Sequence, residues 1–124
     1  MSTLKVNTLE EATSGGATFY TAKAWVNFTA YSSFSLRGSG SVSSVTDNGT
    51  GNFRVNFSNS LSTSTYAGIA TAGHDLTSYV DNNNEIDHLA IMGQMTTSNC
   101  YVGCGDFDDG AADDPQYMGV TVTL

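Results

Sequence analysis

The sequence predicts an all-β fold, with a single antiparallel β-sandwich or jelly-roll-like domain behind an extended N-terminal arm. Short runs of alternating apolar and polar residues recur at roughly 8–12-residue spacing, with turn signals between them. No amphipathic helical pattern of about ten or more residues is visible, and nothing repeats at a solenoid or propeller period. The 124 residues of the chain suffice for one core and not for two.

Residues 1–22 are predicted to form the arm, a docking segment, and residues 23–124 the sandwich domain. The opening stretch alternates weakly, with Leu4 and Val6 as its apolar members, and has too few apolar residues to pack as its own unit. We therefore expect Leu4 and Val6 to contact a neighbouring copy or a larger assembly. A frayed terminus is the alternative.

The first clear strand is predicted at residues 24–28. Ala24, Val26 and Phe28 share one face of it, and Trp25 and Asn27 share the other. Tryptophan contributes a large buried area wherever it is covered, so Trp25 is a candidate interface residue. If the strand is instead covered on both faces, Trp25 belongs to the core.

A second strand is predicted at 31–36, ended by the Gly-Ser-Gly of residues 38–40, and the strongest hairpin signal follows at 42–57. Asn48 and Gly49 are predicted to supply the positive-φ positions of its turn, with Gly51 as another permissive residue. Further strands are predicted at 66–70, 99–102 and 117–124, whereas 86–95 fits either a strand or a short helix.

Cys100 and Cys104 are four residues apart. In an extended strand such residues lie ~13 Å apart, which is too far for a disulfide unless Gly103 permits a turn. A reduced structural pair, a local disulfide and metal ligation all remain open at this point, although two cysteines without neighbouring histidines do not make a zinc site.

Composition and charge limit the partners. The net charge is −8, and the four cations (Lys5, Lys23, Arg37 and Arg54) cannot form a stripe that tracks phosphates, so no nucleic acid is expected. No apolar run approaches the ~20 residues that span a bilayer, and the opening lacks the apolar region of a signal peptide, so no membrane is expected. Only 13% of residues are charged, which is typical of extracellular-facing β proteins and virion parts.

The acidic loop at 106–115 is a weak candidate for a Ca²⁺ site, and no other cofactor is expected. Its oxygen-bearing residues suit calcium, but glycine and alanine occupy positions where an EF-hand needs a ligand and a glycine, so a solvated loop is the favoured interpretation. The candidate ligands are Asp106, Asp108, Asp109, Asp113 and Asp114.

No enzymatic activity is expected. The pairs His74–Asp75 and Asp87–His88 suit acid–base chemistry, but no nucleophile occurs in a recognisable setting. Six dispersed tyrosines would suit carbohydrate stacking if several lay at one end of the sandwich, although core packing explains most of them.

Four segments carry a family resemblance: STLKVNT at 2–8, KAWVNF at 23–28, VSSVTDNGTG at 42–51 and VNF at 55–57. In this order and spacing, the first ~60 residues resemble small tail-fibre-type or capsid-decoration-type virion proteins of bacteriophages, cyanophages among them. The remainder of the chain is similar only in composition.

The resemblance implies a β-rich virion structural protein, a homotrimer, assembled in the host cytoplasm and presented on the virion exterior. Its other partner would be the major capsid protein or a tail component. The chain lacks the heptads or elongated repeats of a fibre shaft, which favours a capsid cement or surface knob. A tail-fibre tip that recognises host surface glycan is the alternative.

Overall fold

A computed structural model describes residue 2 and residues 22–73, 88–106 and 110–124. Eight strands occur in these ranges: β1 (Ala22–Thr29), β2 (Ser35–Gly40), β3 (Val42–Asp47), β4 (Asn52–Phe57), β5 (Ala67–Gly73), β6 (His88–Gly93), β7 (Asn99–Asp106) and β8 (Tyr117–Thr123). They form two four-stranded sheets, with orders β2-β1-β8-β5 (sheet 1) and β3-β4-β7-β6 (sheet 2). Every pairing is antiparallel, so the predicted all-β sandwich is confirmed.

The core lies between the two sheets and follows the period-two alternation of the strands. Sheet 1 contributes Ala24, Val26 and Phe28 of β1. The neighbouring strand β8 contributes Met118, Val120 and Val122. Sheet 2 contributes Phe53, Val55, Phe57, Cys100, Val102 and Cys104. The Phe28 and Phe53 rings meet edge to face with centroids 5.0 Å apart, which joins the centres of the two sheets.

One long side of the sandwich is closed, because the edge strands β5 and β6 contact each other there. Gly68 makes this approach possible: a Cβ at this position would lie 2.5 Å from both Sδ and Cε of Met92. Of the ambiguous segment 86–95, residues 88–93 form the strand β6, in which Met92 faces the core and pairs with Val102 of β7.

The second strand corrects the prediction for residues 31–40. Residues 31–33 are a bend, and β2 runs through the glycines that were expected to end it. The register pairs Gly38 with Asn27 and Gly40 with Trp25. Glycine is tolerated in this edge strand because the Trp25 side chain occupies the space that side chains at 38 and 40 would fill.

The hairpin of β3 and β4 is confirmed, with a correction to its turn. Gly49 and Gly51 have positive φ, at 113° and 63°, whereas Asn48 does not. The Asp47 carboxylate accepts the Gly49 N–H at 2.9 Å, which accounts for an aspartate before the turn.

The turn is tied to the opposite end of the chain. The Gly51 N–H donates to the Asp114 carboxylate at 2.8 Å, and the Gly51 carbonyl accepts the Cys104 N–H at 2.9 Å. A Cβ at Gly51 would collide with the Cys104 carbonyl oxygen and lie 2.9 Å from the Asp113 backbone nitrogen. This residue must therefore be glycine for two reasons, its φ and its surroundings.

We expect Gly51→Ala to destabilise the domain by roughly 2 kcal/mol more than Gly49→Ala. Both substitutions carry the cost of a positive φ, but a Cβ at Gly49 meets nothing within 4 Å. Urea unfolding of the two variants and the parent gives the comparison. Equal losses would show that the packing around Gly51 contributes nothing beyond backbone conformation.

Candidate functional site

The outer face of sheet 1 carries an exposed tryptophan in its centre. Trp25 is 46% exposed because its neighbours Ala24 and Val26 point into the core. The interpretation of Trp25 as a core residue is therefore wrong. The registers place Gly40, Trp25, Thr121 and Ile69 in one row across all four strands, so their side chains share this face.

The indole of Trp25 lies along the neighbouring strand β2. A Cβ at Gly40 would collide with Nε1 and lie 2.8 Å from Cδ1, and a Cβ at Gly38 would lie 3.4 Å from Cη2. The pyrrole ring thus covers Gly40 and the benzene ring covers Gly38. Two glycines two residues apart provide a flat backbone seat, which leaves the other side of the indole toward solvent.

Polar groups adjoin the indole on the same face. In the next row, Asn27 pairs with Gly119, which pairs with Thr71. A Cβ at Gly119 would lie 3.0 Å from the Thr71 hydroxyl oxygen and 3.9 Å from the Asn27 amide nitrogen, so both groups converge over this glycine. An amide and hydroxyls therefore stand beside an aromatic surface.

The charge of this sheet is opposite to that of the whole chain. The four strands of sheet 1 contain no Asp or Glu and two cations, Lys23 and Arg37, in a chain of net charge −8. The Arg37 guanidinium lies over the Tyr117 ring, 4.5 Å from its centroid. This stacking holds the guanidinium in place while its N–H edges remain able to donate.

A second exposed surface follows the closed side of the sandwich. Ile69 on β5 is 68% exposed, and Leu89 and Ile91 on β6 are 53% and 60% exposed. Ile69 lies on the outer face of sheet 1, in the row of Trp25, and Leu89 and Ile91 lie on the outer face of sheet 2. Because β5 and β6 contact each other along the closed side, we call these three side chains the β5–β6 apolar stripe. Sequence reasoning missed all three, because residues 89–92 are all apolar and show no alternation, and Ile69 was not assigned to either face of its predicted strand.

The β6 half of this stripe borders a shallow groove of about 610 Å³ on the outer face of sheet 2. Its floor is Gly103 and Gly105 of β7, and Tyr101 and the 110–112 segment form its other walls. Ile91 leans over the floor, since a Cβ at Gly103 would lie 3.1 Å from Ile91 Cγ1. The described lining of the groove is mainly apolar.

Leu4 and Val6, the arm residues expected to make outside contacts, lie outside the described residues, and so do Asp108 and Asp109 of the acidic loop. Of the remaining carboxylates, Asp114 accepts the Gly51 N–H and Asp113 accepts the Asp114 N–H, each at 2.8 Å. Among the described residues, no three His, Cys, Asp or Glu side chains gather as metal ligands would.

The tyrosines do not share one end of the sandwich. Tyr66 is buried and its hydroxyl donates to the Asn99 carbonyl at 3.1 Å, Tyr117 lies under Arg37, and Tyr31 is exposed in a bend. Of the predicted acid–base pairs, His74, Asp75 and Asp87 lie outside the described residues, and His88 begins β6.

Both cysteines are free thiols that point into the core from β7. The reduced-pair interpretation is confirmed, because the strand is extended between them. Burial raises the pKa of Cys100 from 9.0 to about 11. Burial, followed by the nearby carboxylates of Asp113 and Asp114, raises the pKa of Cys104 to about 11 as well.

Comparison of the chain with protein-family models, with curated proteins and with solved structures finds no match. No helix long and apolar enough to cross a membrane occurs in the part of the chain that the structure describes.

The raised thiol pKa values predict an alkaline loss of stability. A folded thiol that holds its proton up to about pH 11, against 9.0 ordinarily, stabilises the fold fully below pH 9. This contribution is lost as the pH rises from 9 toward 11. We expect the free energy of unfolding, measured with urea, to fall over that range.

The double variant Cys100→Ala, Cys104→Ala serves as the comparison. Its stability should fall less steeply over the same range, with Tyr66 still contributing because burial, the largest cause of its raised pKa, remains in the variant. Identical pH profiles for parent and variant would contradict the assignment to the thiols.

Proposed function

We propose that this protein is a non-enzymatic structural protein on the exterior of a bacteriophage virion. In this proposal it is a homotrimeric capsid cement or decoration protein that docks through its N-terminal arm on the major capsid protein. The β5–β6 apolar stripe is the observation that carries the proposal. Three large aliphatic side chains on adjacent strands gain nothing from water, and they are stabilised only when another surface covers them.

Self-association of the chain would bury the stripe and explain its exposure in the single chain. Burying each of the three side chains contributes about 1.5–3 kcal/mol, before the costs of association are subtracted. The close packing of Gly68 against Met92 fixes β5 beside β6. The side chains of the stripe are therefore presented on strands whose relative position is defined. The resemblance of residues 2–8, 23–28, 42–51 and 55–57 to phage virion proteins supports the assembly context.

Recognition of a host surface glycan by a tail-fibre tip is the second candidate function. The exposed indole of Trp25 favours it, since an aromatic surface beside amide and hydroxyl groups suits sugar rings. The two surfaces adjoin at Ile69, which lies in the row of Trp25 on the outer face of sheet 1.

We expect the parent protein to sediment as a trimer and the triple variant Ile69→Ser, Leu89→Ser, Ile91→Ser to sediment as a folded monomer. The reason is the loss of apolar area from the stripe, while the core is untouched. Leu36→Ser is the matched control, because Leu36 is an exposed aliphatic on β2, at the opposite edge of sheet 1. A monomeric parent, or a trimeric triple variant, would contradict self-association through the stripe.

The virion role is tested by location and copy number. Immunogold labelling of purified particles should mark the head at high copy number if the protein is a cement, or the tail tip at low copy number if it is a fibre tip. A variant lacking residues 2–12 should keep the circular-dichroism spectrum of the sandwich and fail to bind particles. Particles that contain no copy of the protein would rule out both roles.

A further inference from the structure

The outer face of sheet 1 has an aromatic surface, hydrogen-bonding groups and a local positive charge in one place. We define the Trp25 platform as the indole of Trp25 together with Asn27, Thr71 and Thr121. We propose that the Trp25 platform binds a saccharide ring of an acidic polysaccharide, one that carries carboxylate or sulfate groups. The inference holds for either location in a virion, so its failure would leave the assembly proposal standing.

The indole matches the apolar side of a sugar ring. The indole lies against Gly38 and Gly40 of β2, and 46% of the residue remains exposed. The C–H bonds on one side of a pyranose carry partial positive charge, and the negative face of an aromatic ring attracts them. Because the indole is already seated, little side-chain entropy is lost on binding.

Hydroxyl groups of the sugar find partners in the adjoining rows. Thr121 is paired with Trp25 across β1 and β8, and the Asn27 amide and the Thr71 hydroxyl meet over Gly119 one row away. Amide and hydroxyl groups both donate and accept, as sugar hydroxyls do. The small residue at 119 leaves room for a ring to approach them.

Charge indicates the acidic class of saccharide. Lys23 lies two residues before Trp25, and Arg37 directly precedes Gly38, on which the benzene ring of the indole lies. The strands of this sheet carry no carboxylate to oppose an anion. The chain has a net charge of −8, but the strands of this described face carry cations and no carboxylate, so they attract an anionic polymer.

A second copy of the chain is the competing occupant of this face, and the charge distribution argues against it. Two copies meeting through this face would bring Lys23 and Arg37 of each close to the same cations of the other, with no carboxylate on these strands to pair them.

Trp25 is the one tryptophan in the chain, so its fluorescence reports on the site directly. The acidic probes are a galacturonic acid hexamer and dextran sulfate, and their matched neutral probes are the methyl-esterified hexamer and dextran. We expect an acidic probe to shift the emission with a dissociation constant on the order of 0.1 mM, and to bind more weakly as salt rises. The neutral counterpart should bind at least about threefold more weakly.

Variants then test each part of the platform by calorimetry. Trp25→Ala should weaken binding by about tenfold or more, and Lys23→Gln and Arg37→Gln by about threefold each. Gly40→Ala should displace the indole and weaken binding while keeping the reporter, because its Cβ would collide with Nε1. Leu89→Ser, on sheet 2, is the control and should bind normally.

Three outcomes would overturn the proposal. The first is no emission shift with any of the four probes at millimolar concentration. The second is binding that survives Trp25→Ala, which would reduce it to general attraction between a polyanion and cations. The third is dissociation of the parent oligomer by Trp25→Ala, with Leu36→Ser unchanged, which would assign the face to a second copy.

Discussion

The contact between Phe28 and Phe53 is the interaction on which the arrangement of this molecule depends. It joins β1 of one sheet to β4 of the other inside the core, with the ring centroids 5.0 Å apart. Because side chains alternate along a strand, burying Phe28 also buries Val26 and Ala24 and turns Trp25 and Asn27 to the solvent. The burial of Phe28 and the exposure of Trp25 thus both follow from the alternation of side chains along β1.

Glycines decide how the two outer surfaces are shaped. Gly38 and Gly40 give the indole of Trp25 its seat, Gly119 opens space between Asn27 and Thr71, and Gly103 lies beneath Ile91. In each case the missing side chain of one strand is replaced by a side chain from its neighbour. A surface with few charges can in this way present apolar groups in defined positions, which suits a protein that binds other surfaces.

The two proposed surfaces differ in the chemistry of their side chains. The β5–β6 apolar stripe is aliphatic and lies along the closed side of the sandwich, where another copy can bury it. The Trp25 platform is aromatic, polar and flanked by cations, and it lies on a sheet without carboxylates. The described carboxylates Asp47 and Asp114 are used instead to hold the β3–β4 turn through backbone N–H groups.

Alternation in the sequence by itself determined the fold class, the inward faces of β1, β4 and β8 and the hairpin, because burial acts residue by residue along a strand. Tertiary structure alone decided the rest. The glycines at 38 and 40 read locally as a strand end, yet β2 continues through them under a side chain from β1. Whether Trp25 is buried or exposed likewise depends on whether another element covers the outer face of sheet 1. The sequence of β1 carries no information about that covering.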